Sequence, residues 1–227
     1  MTPTILPVMK VHALLKGVKN GNHVEGRVTN FYVGDVLDVF REEETCRRNA
    51  TTDRRGEMKH YFSAAAFTKN KLTISDLPSD ISDNSNVIQR CKLHLVILVQ
   101  RTLGVCGHYV YVVADFLTHE LQYRDPNKYE LRNRERGVYI MDVVAKHINK
   151  ARSGSNHNKD TAIAFSKRSY CRTVPRQDND IDCGVFCLYY TDCLRNKYKI
   201  KMDLSDTEIK KYRQRLYSLV PQTAEST

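Results

Sequence analysis

The chain has 227 residues, 41% of them hydrophobic and 27% charged, which is an ordinary composition for a globular protein with a buried core. Its formal net charge of +10 suits an acidic partner, either a nucleic acid or an acidic protein, and solvated basic faces explain it equally well. No apolar run approaches the roughly 20 residues that a membrane-spanning helix needs, and no secretory signal pattern opens the sequence, so we expect an intracellular protein that does not enter a membrane.

The seven cysteines are irregularly spaced, and no two of them form a C-x-x-C pair. This pattern excludes zinc-ribbon and thioredoxin motifs, and we expect neither a metal site nor a cofactor. An odd number of cysteines without a secretory signal favours reduced thiols. Most of them are expected to be buried as small hydrophobic residues.

The first half of the chain predicts one helix followed by strands. An apolar stripe of period 3.6 indicates a helix over residues 31–44, and the compact apolar segment 61–67 is either a helix or a strand. Segments rich in Leu, Val, Ile and Tyr predict strands over 91–101 and 108–115. A short link then leads to a partner strand over 120–125, which completes a hairpin.

The second half predicts mainly helices. Residues 139–151 form an amphipathic pattern with Ile140, Val143, Val144 and either His147 or Ile148 facing inward, and residues 161–173 contain a strand. Helices are expected over 183–194 and over 205–220, the latter opened by a capping box at Ser205 and Glu208. No repeat or linker divides the chain, so we expect a single domain over 1–227, with 221–227 as a flexible tail.

The segment 175–188, PRQDNDIDCGVFCL, is chemically the most informative. Asp182 is a natural N-cap, which would place Cys183 in the first turn of the following helix. Free backbone N–H groups and the positive end of the helix dipole stabilise a thiolate there, and Gly184 leaves open space for a substrate backbone. A cysteine at a helix start is, however, more often structural than catalytic.

A nucleophilic cysteine needs a base, and the base needs an acceptor for its second ring nitrogen. His108 begins one strand of the predicted hairpin and Asp125 ends the other, so the carboxylate could accept from the imidazole. Gln177, six residues before Cys183, is a neutral donor suited to a developing oxyanion. Taken singly, a surface histidine, a turn aspartate and a loop glutamine are each ordinary.

Together these residues resemble the ubiquitin-like-protein-specific proteases, also known as SUMO or sentrin proteases, and more distantly adenain, the adenoviral protease. That family has a His followed by an aromatic residue, an Asp seventeen residues later, and a Gln six residues before an Asp-Cys-Gly. The resemblance implies an α+β, papain-like cysteine protease fold with a central mixed sheet flanked by helices. It also implies a triad of Cys183, His108 and Asp125, with Gln177 at the oxyanion, and cleavage after Gly-Gly.

The chain departs from this family in the residues that line its narrow diglycine tunnel. It has no Trp; Tyr109 stands where the family has a Trp after the catalytic His, and His23 lies near the position of a second tunnel Trp. Tyr109, His23 and Gly184 are therefore the predicted substrate-binding residues.

We accordingly predict a monomeric cysteine peptidase that processes or deconjugates a ubiquitin-like, SUMO-type modifier. Three alternatives remain open: a viral or mobile-element protease that cuts a polyprotein at Gly-Gly-X, a related effector acetyltransferase, and a non-enzymatic module that binds an acidic ubiquitin-like protein. The basic surface also suits nucleic acid.

Overall fold

The computed structural model describes residues 30–49, 58–68, 70–74, 77, 81, 90–100, 107–127, 130–153, 163–179 and 181–220. These residues include four helices, namely α1 (Asn30–Asn49), α2 (Glu130–Ser153), α3 (Cys183–Arg195) and α4 (Asp206–Leu219). They also include six strands, namely β1 (Lys59–Thr68), β2 (Lys71–Ile74), β3 (Cys91–Gln100), β4 (His108–Asp115), β5 (Glu120–Arg124) and β6 (Lys167–Tyr170). His23 and the predicted tail 221–227 lie outside the described residues.

The strands form one mixed sheet in the order β2-β1-β3-β4-β5-β6. The pairs β1–β3 and β5–β6 are parallel, whereas β1–β2, β3–β4 and β4–β5 are antiparallel. The predicted hairpin is the β4–β5 pair, in which Asp115 lies opposite Glu120. The mixed sheet with its flanking helices confirms the α+β class expected from the sequence.

The helices cover both faces of the sheet, and each face has its own apolar core. Because side chains alternate along a strand, β4 contributes to both: Tyr109 and Tyr111 pack with α1, α3 and α4, whereas Val110 and Val112 pack with α2. Helix α3 is buried along most of its length because it lies between the sheet and the helices α1 and α4. The start of α3 is thus held from several sides.

Most predicted elements are confirmed, with shifted ends. The segment 61–67 is a strand, and in α2 the inward residue is Ile148, which is fully buried, while His147 is only partly buried. Helix α2 begins nine residues before the predicted start. Its first turns are mostly charged and have no apolar stripe, so periodicity did not detect them. The strand expected in 161–173 is limited to β6, and the short edge strand β2 was not expected.

The capping box at the start of α4 is confirmed. The Ser205 side chain accepts from the Glu208 N–H, and the Glu208 carboxylate accepts from the Ser205 N–H at 3.0 Å. Among the described residues, no helix has the length and apolar character to cross a bilayer, and no three potential ligands converge as a metal site. The six described cysteines are all free thiols.

Candidate active site

Cys183 is the first residue of α3, as predicted, and 5% of it is exposed. The prediction for Asp182 needs a correction. It occupies the N-cap position, but its side chain makes no capping hydrogen bond, and its backbone is in the right-handed helical region rather than extended. Its carboxylate instead accepts from Arg213 of α4, Nε to Oδ1 at 2.7 Å, and from Asn179, Nδ2 to Oδ2 at 2.5 Å.

His108 and Asp125 meet at the open end of the β4–β5 hairpin, as their positions predict. The distance from His108 Nε2 to Asp125 Oδ1 is 2.6 Å. Asp125 is fully buried, and it also accepts from the Asn127 N–H at 2.9 Å and from the Tyr123 hydroxyl at 3.0 Å. Its carboxylate is therefore held in one orientation by three donors.

The imidazole of His108 interacts with both Asp125 and Cys183. Since Nε2 binds Asp125, Nδ1 is the ring nitrogen left for the thiol. Burial lowers the pKa of His108, but its hydrogen bonds to Asp125 and Cys183 and their charges outweigh burial and raise the pKa to about 9. This arrangement favours an imidazolium beside the sulfur at neutral pH.

Gln177 belongs to a segment that is tied to the loop carrying Asp125. Its backbone N–H donates to the Pro126 carbonyl at 2.9 Å, and the neighbouring Arg176 donates to the carbonyls of Asp125 and Asn127 at 2.8 and 2.7 Å. The Gln177 side chain is buried, and its Oε1 has no hydrogen-bond partner. The unpaired atom is an acceptor, so this buried amide can still accept a hydrogen bond from a ligand N–H or O–H beside it.

The three predicted substrate-binding residues fare differently. Tyr109 is 4% exposed and faces α3, where burial and the nearby thiols of Cys183 and Cys187 raise its pKa far above the usual range. It thus packs beneath the nucleophile, and its contact with substrate stays a prediction. Gly184 is buried in the first turn of α3, and His23 lies outside the described residues.

Cys187, one turn after Cys183, is fully buried, and burial raises its pKa well above the usual range. A thiol in such surroundings stays protonated and unreactive. This environment agrees with the expectation that most of the cysteines are buried as small hydrophobic residues.

At Gly107, immediately before His108, the backbone packs closely against β3. A Cβ atom at this position would lie 2.5 Å from Leu98 Cδ1 and 3.0 Å from the Val99 carbonyl oxygen. Any larger residue would push the start of β4 away from β3, and with it the imidazole of His108. Glycine is therefore part of how the base is positioned.

Sequence reasoning missed three residues that hold the site and its neighbouring loops in place. Tyr123 orients Asp125, Arg176 ties the loops together, and Arg213 binds Asp182. A signal for Arg213 was available: it lies on the apolar face of α4, four residues after Ile209 and three before Leu216. A charge on a buried helix face requires a buried partner.

The sequence profile of the Ulp1 protease family, C-terminal catalytic domain, matches residues 138–226. The matched segment includes Gln177 and Cys183 but begins after His108 and Asp125, so the assignment of those two residues rests on the geometry above. The papain-like type of the α+β fold, expected from the sequence, agrees with this match. No curated protein sequence matches the chain.

Several solved structures resemble this chain, each at low identity and with a TM-score below 0.5. The SUMO protease Ulp1 with its catalytic cysteine oxidised to a sulfenic acid has 15% identity and a TM-score of 0.43 over 57% of this chain and 52% of that chain. The Ulp1-like SUMO protease catalytic domain of Chaetomium thermophilum has 14% identity and a TM-score of 0.48 over 83% of this chain and 68% of that one. The Chlamydia trachomatis effector Cdu1 bound to ubiquitin has 13% identity and a TM-score of 0.33 over 95% and 92%. The chain thus spans about half of the Ulp1 structure.

Proposed function

We propose that the chain is a cysteine peptidase with Cys183 as its nucleophile, and the match of residues 138–226 to the profile of the Ulp1 protease family supports this proposal. One observation carries the proposal: the His108 imidazole hydrogen-bonds to the buried Asp125 carboxylate at 2.6 Å and also interacts with the Cys183 thiol. A nucleophile, a base and an orienting acceptor in one connected row is the arrangement that thiol proteases require.

His108 takes the Cys183 proton, or the two groups rest as imidazolium and thiolate. The free N–H groups at the start of α3 and the adjacent imidazolium both stabilise the Cys183 thiolate. Asp125 fixes the imidazole orientation through Nε2, which leaves the Nδ1 proton directed at the sulfur. Burial of this carboxylate matters because its attraction for the imidazolium is weakened little by water.

In the first half of the reaction, the Cys183 sulfur attacks the carbonyl carbon of the residue before the scissile bond. The oxyanion is stabilised by the Cys183 backbone N–H and the Gln177 side-chain amide. The C–N bond then breaks, and His108 transfers its Nδ1 proton to the leaving amine. A water molecule, deprotonated by His108, attacks the thioester and releases the carboxylate product and the free thiol.

The proposed substrate is a ubiquitin-like protein, of SUMO type, cut after Gly-Gly at a peptide or isopeptide bond. The support is the family profile together with the spacing of His108, Asp125, Gln177 and Cys183. Two consecutive glycines suit a narrow channel because a residue without a side chain passes where a Cβ would clash. The free thiols of the six cysteines that the structure describes fit a protein that works in a reducing compartment.

The test uses ubiquitin-like proteins that carry a C-terminal electrophile, with the labelled residue mapped by mass spectrometry. We expect an adduct at Cys183 with at least one SUMO-type or ubiquitin-type probe and none with Cys183→Ala. Failure of every probe would reject the proposed substrate. Cleavage of a Gly-Gly-X polyprotein segment, or transfer from an acyl-CoA with release of free CoA, would then assign one of the alternative activities.

A further inference from the structure

An arginine of the C-terminal helix reaches the residue that precedes the nucleophile. Arg213 of α4 is 2% exposed, and its Nε donates to Asp182 Oδ1 at 2.7 Å, while its Nη2 contacts the same oxygen. Asp182 is 6% exposed. The pair is thus a buried ion pair that joins α4 to the start of α3, thirty-one residues earlier in the chain.

The other carboxylate oxygen of Asp182 is held as well. It accepts from the Asn179 side-chain N–H at 2.5 Å, and the Asn179 Oδ1 in turn accepts from the N–H groups of Ile181 and Asp182, each at 3.0 Å. Asn179 therefore closes a small loop in front of α3 and directs the carboxylate away from it. Both oxygens of Asp182 have partners other than the helix.

This arrangement has an electrostatic consequence at Cys183. An aspartate at an N-cap normally accepts from the second or third N–H of its helix, which here would be those of Gly184 and Val185. A carboxylate bound there would occupy amides at the helix start and cancel the positive end of the dipole that stabilises the thiolate. In this protein Asp182 makes no such bond.

We propose that Arg213 is a positioning residue for the reaction: with Asn179, it holds the Asp182 carboxylate off the amides at the start of α3 and neutralises its charge. Those amides stay available to the Cys183 thiolate. The inference rests on the proposed function of Cys183 as the nucleophile. Helix α4 would then affect the reactivity of the Cys183 sulfur, although it contributes no residue to the triad.

Other groups also face the thiol, and they fix the background against which Arg213 acts. His108 and Tyr109 approach from β4 and Cys187 from the next turn of α3, with Asp125 behind His108. A variant of Arg213 leaves these residues in the sequence. The Asp182→Asn/Arg213→Met double variant therefore tests whether a change in thiol reactivity acts through Asp182.

The experiment measures the alkylation rate of Cys183 by iodoacetamide against pH, read by mass spectrometry to separate it from the exposed Cys46. We expect Arg213→Met to move the midpoint of alkylation upward by about one pH unit, which slows labelling roughly tenfold below the midpoint, because the freed carboxylate then lies beside the thiolate. The alkylation midpoint of Arg213→Lys should lie between those of the original chain and of Arg213→Met. Asp182→Asn/Arg213→Met, which removes both charges, should return the midpoint to that of the original chain.

The double variant keeps the test decisive if the single variant fails to fold, since it leaves no unpaired buried charge. A double variant whose midpoint is shifted, or an Arg213→Lys variant that loses thermal stability without any shift, would show that Arg213 is merely structural. Labelling needs no substrate, so this result is independent of the substrate probes. If those probes fail while the Arg213 series shifts as expected, the positioning role stands and the proposed substrate does not.

Discussion

The His108 imidazole and the Asp125 carboxylate are joined by a 2.6 Å hydrogen bond in which the carboxylate is fully buried and the imidazole side chain is 19% exposed. The base is therefore reachable from solvent while its anchor is not. Because the Tyr123 hydroxyl and the Asn127 N–H occupy other acceptor sites of the same carboxylate, Asp125 has little freedom to rotate. The geometry of this pair determines the effects that we expect from substituting His108 or Asp125.

We expect Cys183→Ala to abolish peptide cleavage without unfolding the domain, and Asp125→Ala to impair it less than His108→Ala. The imidazole transfers the proton, an effect worth roughly 10²–10⁴-fold, whereas Asp125 acts only through the imidazole. The measurement is kcat/KM on a ubiquitin-like precursor, with circular dichroism to establish folding. Equal losses for Asp125→Ala and His108→Ala would argue against this division of roles.

The alkaline limit of activity should depend on Asp125. The pKa of His108 is lowered by burial but raised overall to about 9 by its hydrogen bonds and charges, so kcat/KM should fall as pH rises through about 9. In Asp125→Asn, the loss of the carboxylate charge should move this limb to lower pH. A limb that stays in place in Asp125→Asn would mean that another group controls it.

The same pair should appear in the pH dependence of stability. The folded-state pKa of His108, about 9, lies above its ordinary value of 6.5. Its stabilisation is therefore fully present below pH 6.5 and is lost as pH rises through 9, at up to about 1.4 kcal/mol per pH unit. Urea denaturation from pH 6.5 to 9 should show this loss in the original chain, and His108→Gln should show less of it.

Sequence reasoning predicted the site best where a residue of catalytic type lies at a position that local pattern defines. The positions of Cys183, His108 and Asp125 follow from the start of one helix and the two ends of one hairpin, and in the structure His108 hydrogen-bonds to Asp125 and interacts with Cys183. The side chain of Asp182 could not be predicted in this way. Its local preference is to cap α3, but Arg213, distant in sequence, binds it instead, and such tertiary competition leaves no mark near residue 182.

The limits of the element predictions have a similar physical origin. Periodicity detects a buried face, so the charged first turns of α2 and the short edge strand β2 escaped it. The segment 61–67 was ambiguous because an apolar run of this length fits a buried strand or a buried helix. Its parallel pairing with β3, which no local signal encodes, makes it a strand.

A buried histidine pair should make the protein sensitive to acid. His60 Nδ1 lies 2.8 Å from His94 Nε2, and the other nitrogen of His94 bonds to the Tyr111 hydroxyl. The pKa of His60 is lowered to about 4, mainly by burial. Nearby cations also lower this pKa, and Lys92 contributes most among them. Since the unfolded chain takes up this proton near pH 6.5, stability should be complete above that pH and fall as pH drops from 6.5 to 4.

The measurement is the free energy of unfolding in urea between pH 4 and 7. We expect His60→Asn to flatten this dependence relative to His119→Asn, which removes an exposed histidine from a turn with φ of 52°, a conformation that asparagine tolerates. Identical slopes in the two variants would show that carboxylates, rather than His60, account for the acid sensitivity.

Two helical glycines offer a matched test of how α2 supports the active site. A Cβ at Gly137 would lie 2.8 Å from the ring of Tyr123, whereas a Cβ at Gly34 in α1 meets nothing within 4 Å. Tyr123 is fully buried, stacks on Tyr170, and donates to Asp125, so its ring has little room to move.

We expect Gly137→Ala to destabilise the fold by about 1–3 kcal/mol through overpacking. Gly34→Ala should stabilise it by up to about 1 kcal/mol, because alanine favours the helix. Urea denaturation gives both values, and kcat/KM should fall only in Gly137→Ala, since only there is the donor to Asp125 displaced. If the two variants behave alike, the close approach of α2 to Tyr123 contributes nothing to the site.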